Sequence, residues 1–295
     1  MKVPSVNIAC FDDGHIVPRM MSWLEDGLGW KITNGYDPNS INYLAPYTML
    51  GRYGQPPGPS MAWFTHFEEG NLQKMRIWHQ AAKQIDLPLV TAQVYADHFA
   101  AEAILSHKSE PSLFKITPGI DQDHFKPVRK KRPGSGVVGL VGVPGPRKGT
   151  ELAESLTGAA GLTQLLAAGG DWPGVAGSAH IPYDEMPAFY AQLDLMVCAS
   201  TIEGIPAPPL EALACGVPVV VPRGVGMMDE LPESPAVHRY DAGNTASLLA
   251  ATEAALDATV SRSEARDVVA DYTVAAWCTS HQLALEALIA GGVRS

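Results

Sequence analysis

Charge is scarce in this chain: only 18% of its 295 residues are Asp, Glu, Lys or Arg, and the balance is acidic at −10. Such an excess of acid argues against broad affinity for nucleic acid or anionic membranes, whose phosphates need a basic surface. Cysteine is scarcer still. Cys10, Cys198, Cys215 and Cys278 are scattered through apolar surroundings with no C-x-x-C spacing, which fits buried thiols in a reducing compartment better than a disulfide framework. The expected location is the cytoplasm. Long apolar runs are lacking too: none approaches the roughly 18 residues needed to span a bilayer. The opening MKVPSVNIACFDDGH meets Asp12-Asp13 before any signal-peptide core could form. No membrane span is expected.

Several chemistries lack their parts. The nine histidines show no H-x-x-x-H or H-E-x-x-H spacing, and no serine stands in a G-x-S-x-G elbow. Lys148-Gly-Thr150 does not have the Gly-Lys-Ser/Thr order of a P-loop. Gly134-Ser-Gly-Val-Val-Gly139 matches G-x-G-x-x-G in letters but precedes a strand, where a dinucleotide fingerprint must follow one. Asp121-Gln-Asp123 matches the D-x-D of metal-dependent transferases, yet it falls in a Pro/Gly-rich linker. Hydrolase, zinc enzyme and dehydrogenase are therefore set aside, and no metal site is expected.

What the chain does have is an alternation of strand-like and helix-like segments, the pattern of α/β sheets. With 46% hydrophobic residues and this length, two domains can each bury a core. Strands are expected at Val6–Cys10, Trp30–Thr33, Tyr43–Tyr47, Ser60–His66, Leu87–Ala92, Leu113–Thr117, Val137–Gly142, Leu165–Ala168, Leu195–Ala199 and Val217–Val221. Helices are expected at Val17–Leu24, Leu72–Gln84 and Ala96–Leu105, with an amphipathic one over Val274–Ala290. Pro118 to Gly136 has linker character, so the expected division is 1–118, a hinge at 119–135, 136–273, and a terminal helix at 274–295. A basic run, Lys126 to Arg132, stands out in that linker and reads first as solvated chain.

The richest stretch is Glu203-Gly-Ile-Pro-Ala-Pro-Pro-Leu-Glu211, followed by Ala-Leu-Ala-Cys-Gly-Val-Pro-Val-Val-Val. It reads as a Gly/Pro-rich loop, a helix carrying the second glutamate, and a tight turn into a buried strand. A loop feeding a helix N-terminus is a ready anion site, and carboxylates on either side of it can hold hydroxyls flanking a diphosphate. The wording EGIPAPPLEALACGVPVV resembles the E-x7-E signature of retaining GT-B glycosyltransferases, the group that includes glycogen and sucrose synthases. Residues 117–127, Thr-Pro-Gly-Ile-Asp-Gln-Asp-His-Phe-Lys-Pro, are similar to the P-x-G-V-D-x-x-x-F-x-P stretch at that family's interdomain crossing.

The resemblance covers roughly residues 115–245 and implies a GT-B architecture: two Rossmann-like domains facing an interdomain cleft, the second binding a nucleotide-sugar. It implies that Glu211 accepts the ribose hydroxyls, a task suited to an acceptor-only carboxylate. Glu203 would face the transferred hexose, with Gly204, Ile205 and Ala207 beside the phosphates. Arg147 and Lys148 fall where the family places its cations, which neutralise a leaving diphosphate in place of a metal. His66 matches a cleft histidine of the first domain, and Asp12, Asp13 and His15 stand after the first strand on the acceptor side.

Two departures are visible: Pro206, Pro208 and Pro209 remove amides from the phosphate loop, and Val143 stands where an arginine is usual. The activity so implied is retaining, metal-independent transfer of a hexose, with UDP-glucose as the default donor and co-substrate and no resident cofactor. The acceptor is a hydroxyl on a glycan, a protein, a small molecule or a modified DNA base. A catalytically silent sugar-nucleotide or glycan-binding protein is the other reading.

Overall fold

The computed structural model describes residues 4–11, 16–105, 113–128, 136–175 and 177–291. The chain forms two compact units, one of residues 1–119 with 274–295 and one of residues 120–273. In the first, β1 (Val6–Ala9), β2 (Lys31–Thr33), β3 (Ile41–Leu44), β4 (Ser60–Phe64), β5 (Leu87–Val90) and β6 (Phe114–Lys115) form one sheet in the order β2-β1-β3-β4-β5-β6. All its pairings are parallel. Every residue of β1, β3, β4 and β5 is buried, as strands covered on both faces must be.

Around this sheet lie α1 (Ile16–Leu28), α2 (Met49–Tyr53), α3 (Leu72–Gln84) and α4 (Gln93–Leu105). Helix α3 starts where Asn71 leaves the extended region and its side chain accepts from the Lys74 amide. Its buried Trp78 meets the rings of Tyr47, Phe64 and Phe99 at centroid distances of 5.2, 4.7 and 5.3 Å.

The second unit contains β7 (Val137–Val141), α5 (Thr150–Glu154), β8 (Gln164–Ala168), β9 (Gly177–Ala179), α6 (Met186–Tyr190), β10 (Leu195–Val197), α7 (Ala207–Ala214), β11 (Val219–Pro222), β12 (Val237–Tyr240), α8 (Thr245–Asp257) and α9 (Arg262–Asp267). Its sheet is also parallel, ordered β12-β11-β10-β7-β8-β9. The chain therefore winds outward from β7 to β9, returns, and winds the other way from β10 to β12. Between β7 and β10 the direction reverses. Such a switch point opens a crevice at the carboxyl ends of the two strands, where ligands of open α/β sheets bind.

The chain ends with α10 (Val274–Ala290), which groups with the first unit. Its buried positions are Trp277, Ser280, His281, Ala284, Leu285 and Leu288, the spacing of a single helical face. Both ring nitrogens of His281 on that face have partners. His281 Nδ1 faces the Trp277 carbonyl at 2.9 Å and its Nε2 lies 3.0 Å from the Tyr43 hydroxyl. A carbonyl only accepts, so Nδ1 carries the proton and Tyr43 donates to Nε2.

The elements differ from the sequence reading in bounds and number. Strand β3 stops before Pro46, which has no amide to donate. Strand β4 stops at Phe64, so His66 sits two residues beyond it. Strands β9 and β12, at the two edges of the second sheet, have no counterpart in the reading. From residue 129 onward the basic run lies outside the described residues, and so do the first two residues of the Gly134–Gly139 match. Asp121, half of the D-x-D match, uses Oδ1 to accept the backbone amides of Asp123 and His124 at 3.1 and 3.0 Å. It closes a turn.

Candidate functional site

Two loops leave the switch point, one after β7 and one after β10, and the chain ties them together. The first turns through Gly142 and a short 3-10 segment at Pro146–Lys148, with the Thr150 hydroxyl accepting from the Gly145 amide at 2.7 Å. The Thr201 amide of the second loop donates to the Arg147 carbonyl at 2.9 Å. Holding the backbone this way turns the two cations apart. Arg147 is exposed, whereas Lys148 reaches inward and forms a partly buried ion pair with Glu203 of the second loop.

Two glycines make that reach possible. At Gly142 φ is +123° and an added Cβ would stand 2.8 Å from Lys148 Cε. At Gly226 φ is +56° and a Cβ would come within 2.3 Å of the Glu203 carbonyl oxygen. Both positions combine a backbone conformation unfavourable to side chains with a space already filled.

A small pocket opens here, lined by Val141, Lys148, Trp172, Glu203, Pro208 and Pro209 among others. Trp172 is fixed by its indole N–H, which donates to the Gly142 carbonyl at 2.9 Å. Cys198 also lines the pocket, and burial followed by the nearby Glu203 charge push its thiol up. It stays a neutral thiol near pH 7, which speaks against a thiolate nucleophile.

The helix tip beside the pocket differs from the open anion site that its sequence suggests. Pro206 adopts φ −80° and ψ 71°, an inverse γ-turn in which the Ala207 amide donates to Ile205 at 3.0 Å. Leu210 donates to Pro206 at 3.3 Å, and Pro208 and Pro209 have no N–H. The first-turn amides of α7 are thus engaged or missing. The positive charge facing the pocket is that of Lys148.

Glu211, on α7, does not line this pocket. It is buried, and its Oε2 accepts from the Tyr190 hydroxyl at 2.7 Å. Gly204 and Ala207 are buried and Ile205 is partly exposed. In the first unit, the partly buried His66 contacts Thr65 Oγ1 through Nδ1 at 3.1 Å, and its Nε2 stands 3.7 Å from Glu68 Oε2. Asp12, Asp13 and His15 lie outside the described residues. The structure thus brings Lys148 and Glu203 together and turns Arg147 outward. Trp172 and Tyr190 are site neighbours that sequence reasoning missed, since neither belongs to a charged or glycine motif that would single it out.

Residues 175–236 match the family model described as Glycosyl transferases group 1. That stretch includes Glu203, Glu211, Tyr190 and Gly226 and ends before β12. No curated protein matches the chain. Among solved structures, sucrose-phosphate synthase from Thermosynechococcus elongatus is similar at 15% identity, with a TM-score of 0.67 over 96% of this chain and 81% of that one. HepE from Anabaena, in complex with UDP-glucose, is 13% identical with a TM-score of 0.67, covering 97% of this chain and 100% of the other. A glycosyltransferase from Rickettsia africae is 11% identical, with a TM-score of 0.65 over 99% and 100% of the two chains. The shared fold is GT-B, built of two Rossmann-like domains. Among the described residues no helix is long and apolar enough to cross a membrane.

Proposed function

We propose that this chain is a glycosyltransferase that moves a hexose from a nucleotide-sugar to a hydroxyl acceptor, with retention at the anomeric carbon and without a metal. One observation carries the reading: a partly buried Lys148–Glu203 pair at the switch point of a Rossmann-ordered sheet, within and beside the segment that matches the glycosyl transferases group 1 model. In this reading the ammonium of Lys148 stabilises the departing diphosphate, and Glu203 holds sugar hydroxyls and supports positive charge at the anomeric carbon. Glu211 accepts the ribose diol. The departing phosphate itself takes the proton of the incoming hydroxyl, so electrostatic stabilisation matters more than a dedicated base. UDP-glucose is the first donor to test, because HepE, a fold neighbour, holds it.

Incubating the wild type with UDP-, GDP- and ADP-sugars and following donor hydrolysis or transfer tests the assignment. Glu203→Ala is expected to lower turnover by at least about 100-fold. Turnover is expected to survive EDTA, and a strict requirement for a divalent ion would overturn the metal-independent part. The engaged amides at the start of α7 favour one second reading, a silent nucleotide-sugar binder. Nucleotide binding without turnover in either protein would select it.

A further inference from the structure

The stretch at 119–127 and the fully buried Tyr190 belong to one chain of contacts that ends on Glu211. Phe125, buried to 1% exposure, sets its ring edge-on to Tyr190 at 6.1 Å and to Tyr183 at 5.3 Å. Tyr183 in turn stacks on His124 at 4.4 Å. Arg266 pins this segment to the end of α7, its Nη1 donating to the carbonyls of Phe125 and Ala214 at 3.3 and 2.8 Å. Tyr190 is the last residue of α6 and is wholly buried, with its hydroxyl 2.7 Å from Glu211 Oε2.

The direction of that bond follows from the carboxylate, which only accepts. Burial, then the Glu211 charge, hold the phenol well above its usual range, so it remains a donor across the physiological span. One O–H occupies one of roughly four acceptor positions on a carboxylate. The bond therefore helps to orient Glu211.

Resting on the reading that Glu211 accepts the ribose hydroxyls, we propose that Tyr190 is a positioning residue for the nucleotide: it fixes the Glu211 carboxylate in the orientation that receives a vicinal diol, with Phe125 of the linker segment as its backing. Tyr190 touches no substrate in this account. Its effect reaches the ligand only through the carboxylate, so it should appear as discrimination for the ribose hydroxyl.

The test is a pair of dissociation constants measured by calorimetry on the full chain, for UDP and for 2′-deoxy-UDP, and likewise for ADP and GDP with their deoxy forms. Wild type is expected to favour the ribonucleotide by about tenfold or more, the range for a hydrogen bond to a charged group. Tyr190→Phe is expected to compress the preference to about threefold or less, because the carboxylate loses the hydroxyl that orients it.

If Tyr190→Phe weakens both nucleotides equally and leaves their ratio unchanged, the tyrosine is merely structural and the inference is overturned. A wild type that binds both forms alike overturns the ribose role of Glu211 itself, and the inference with it, which is a distinguishable failure. Should Tyr190→Phe not fold, Phe125→Leu loosens the backing while keeping the hydroxyl, and the ratio is expected to fall in the same direction. An unchanged ratio there overturns the inference equally.

Discussion

Lys148 and Glu203 are mostly removed from water, with side chains 15% and 9% exposed. Burying an unpaired charge costs several kcal/mol, so removing one partner of such a pair leaves the other uncompensated. Lys148→Met or Glu203→Gln alone is expected to lower stability by about 3 kcal/mol. The double variant should lose markedly less, as urea denaturation midpoints would show. Gly142→Ala should mimic Lys148→Met in part, since its Cβ would meet the lysine stem. The sequence singled out these two charged residues through the family resemblance of their motifs, and the fold brings them into one ion pair. Tyr190 was not legible. An aromatic residue before an apolar strand reads as core, and only coordinates show that its hydroxyl meets a carboxylate. The engagement of the α7 amides was half legible: prolines announce missing donors, but the γ-turn that occupies Ala207 depends on the Pro206 backbone angles.

Among the elements, α10 carries an acid-sensitive contact. His281 is wholly buried, and desolvation lowers its pKa to about 3, only partly offset by the bond to the Trp277 carbonyl. In the unfolded chain this imidazole takes up a proton near pH 6.5, while the folded one stays neutral down to about pH 3. The unfolded state therefore binds more protons within that window. Stability present above pH 6.5 should be lost as pH falls, by up to about 1.4 kcal/mol per pH unit. His281→Gln cannot ionise and should show a flatter dependence. Denaturant midpoints from pH 7 to 4.5 in the two proteins would check it.

The same scale shows why some strands were readable. The central ones, such as Val137–Val141 and Val219–Pro222, are buried apolar runs. The edge strand Gly177–Ala179 is three small residues, and Val237–Tyr240 places His and Arg between its apolar ends. Edge strands are short and half-solvated, so their composition says little.

At the scale of the whole molecule, sequence order and compactness part company. The first unit is completed by a helix from the far end of the chain. The Trp277 indole donates to the Met20 carbonyl at 3.2 Å, and Gly27 leaves only 2.8 Å between an added Cβ and Cys278 Sγ. Residues 1–119 expressed alone should therefore expose the α1 face and fail to melt cooperatively, whereas residues 120–273 alone should show a single sharp transition by circular dichroism. A cooperative melt of 1–119 would count against α10 as part of that core. The expected acceptor-side residues Asp12, Asp13 and His15 lie outside the described residues.

The Ile120 amide donates to the Tyr272 carbonyl at 3.1 Å, and Ile120 pairs with Thr273 as a parallel bridge. The inserted stretch thus enters and departs through a single doorway, its two ends already fastened to one another. Closing a long insertion whose ends meet adds little entropy cost to its host. Such a stretch behaves as an exchangeable cartridge, one that could be grafted between frameworks in a single cut.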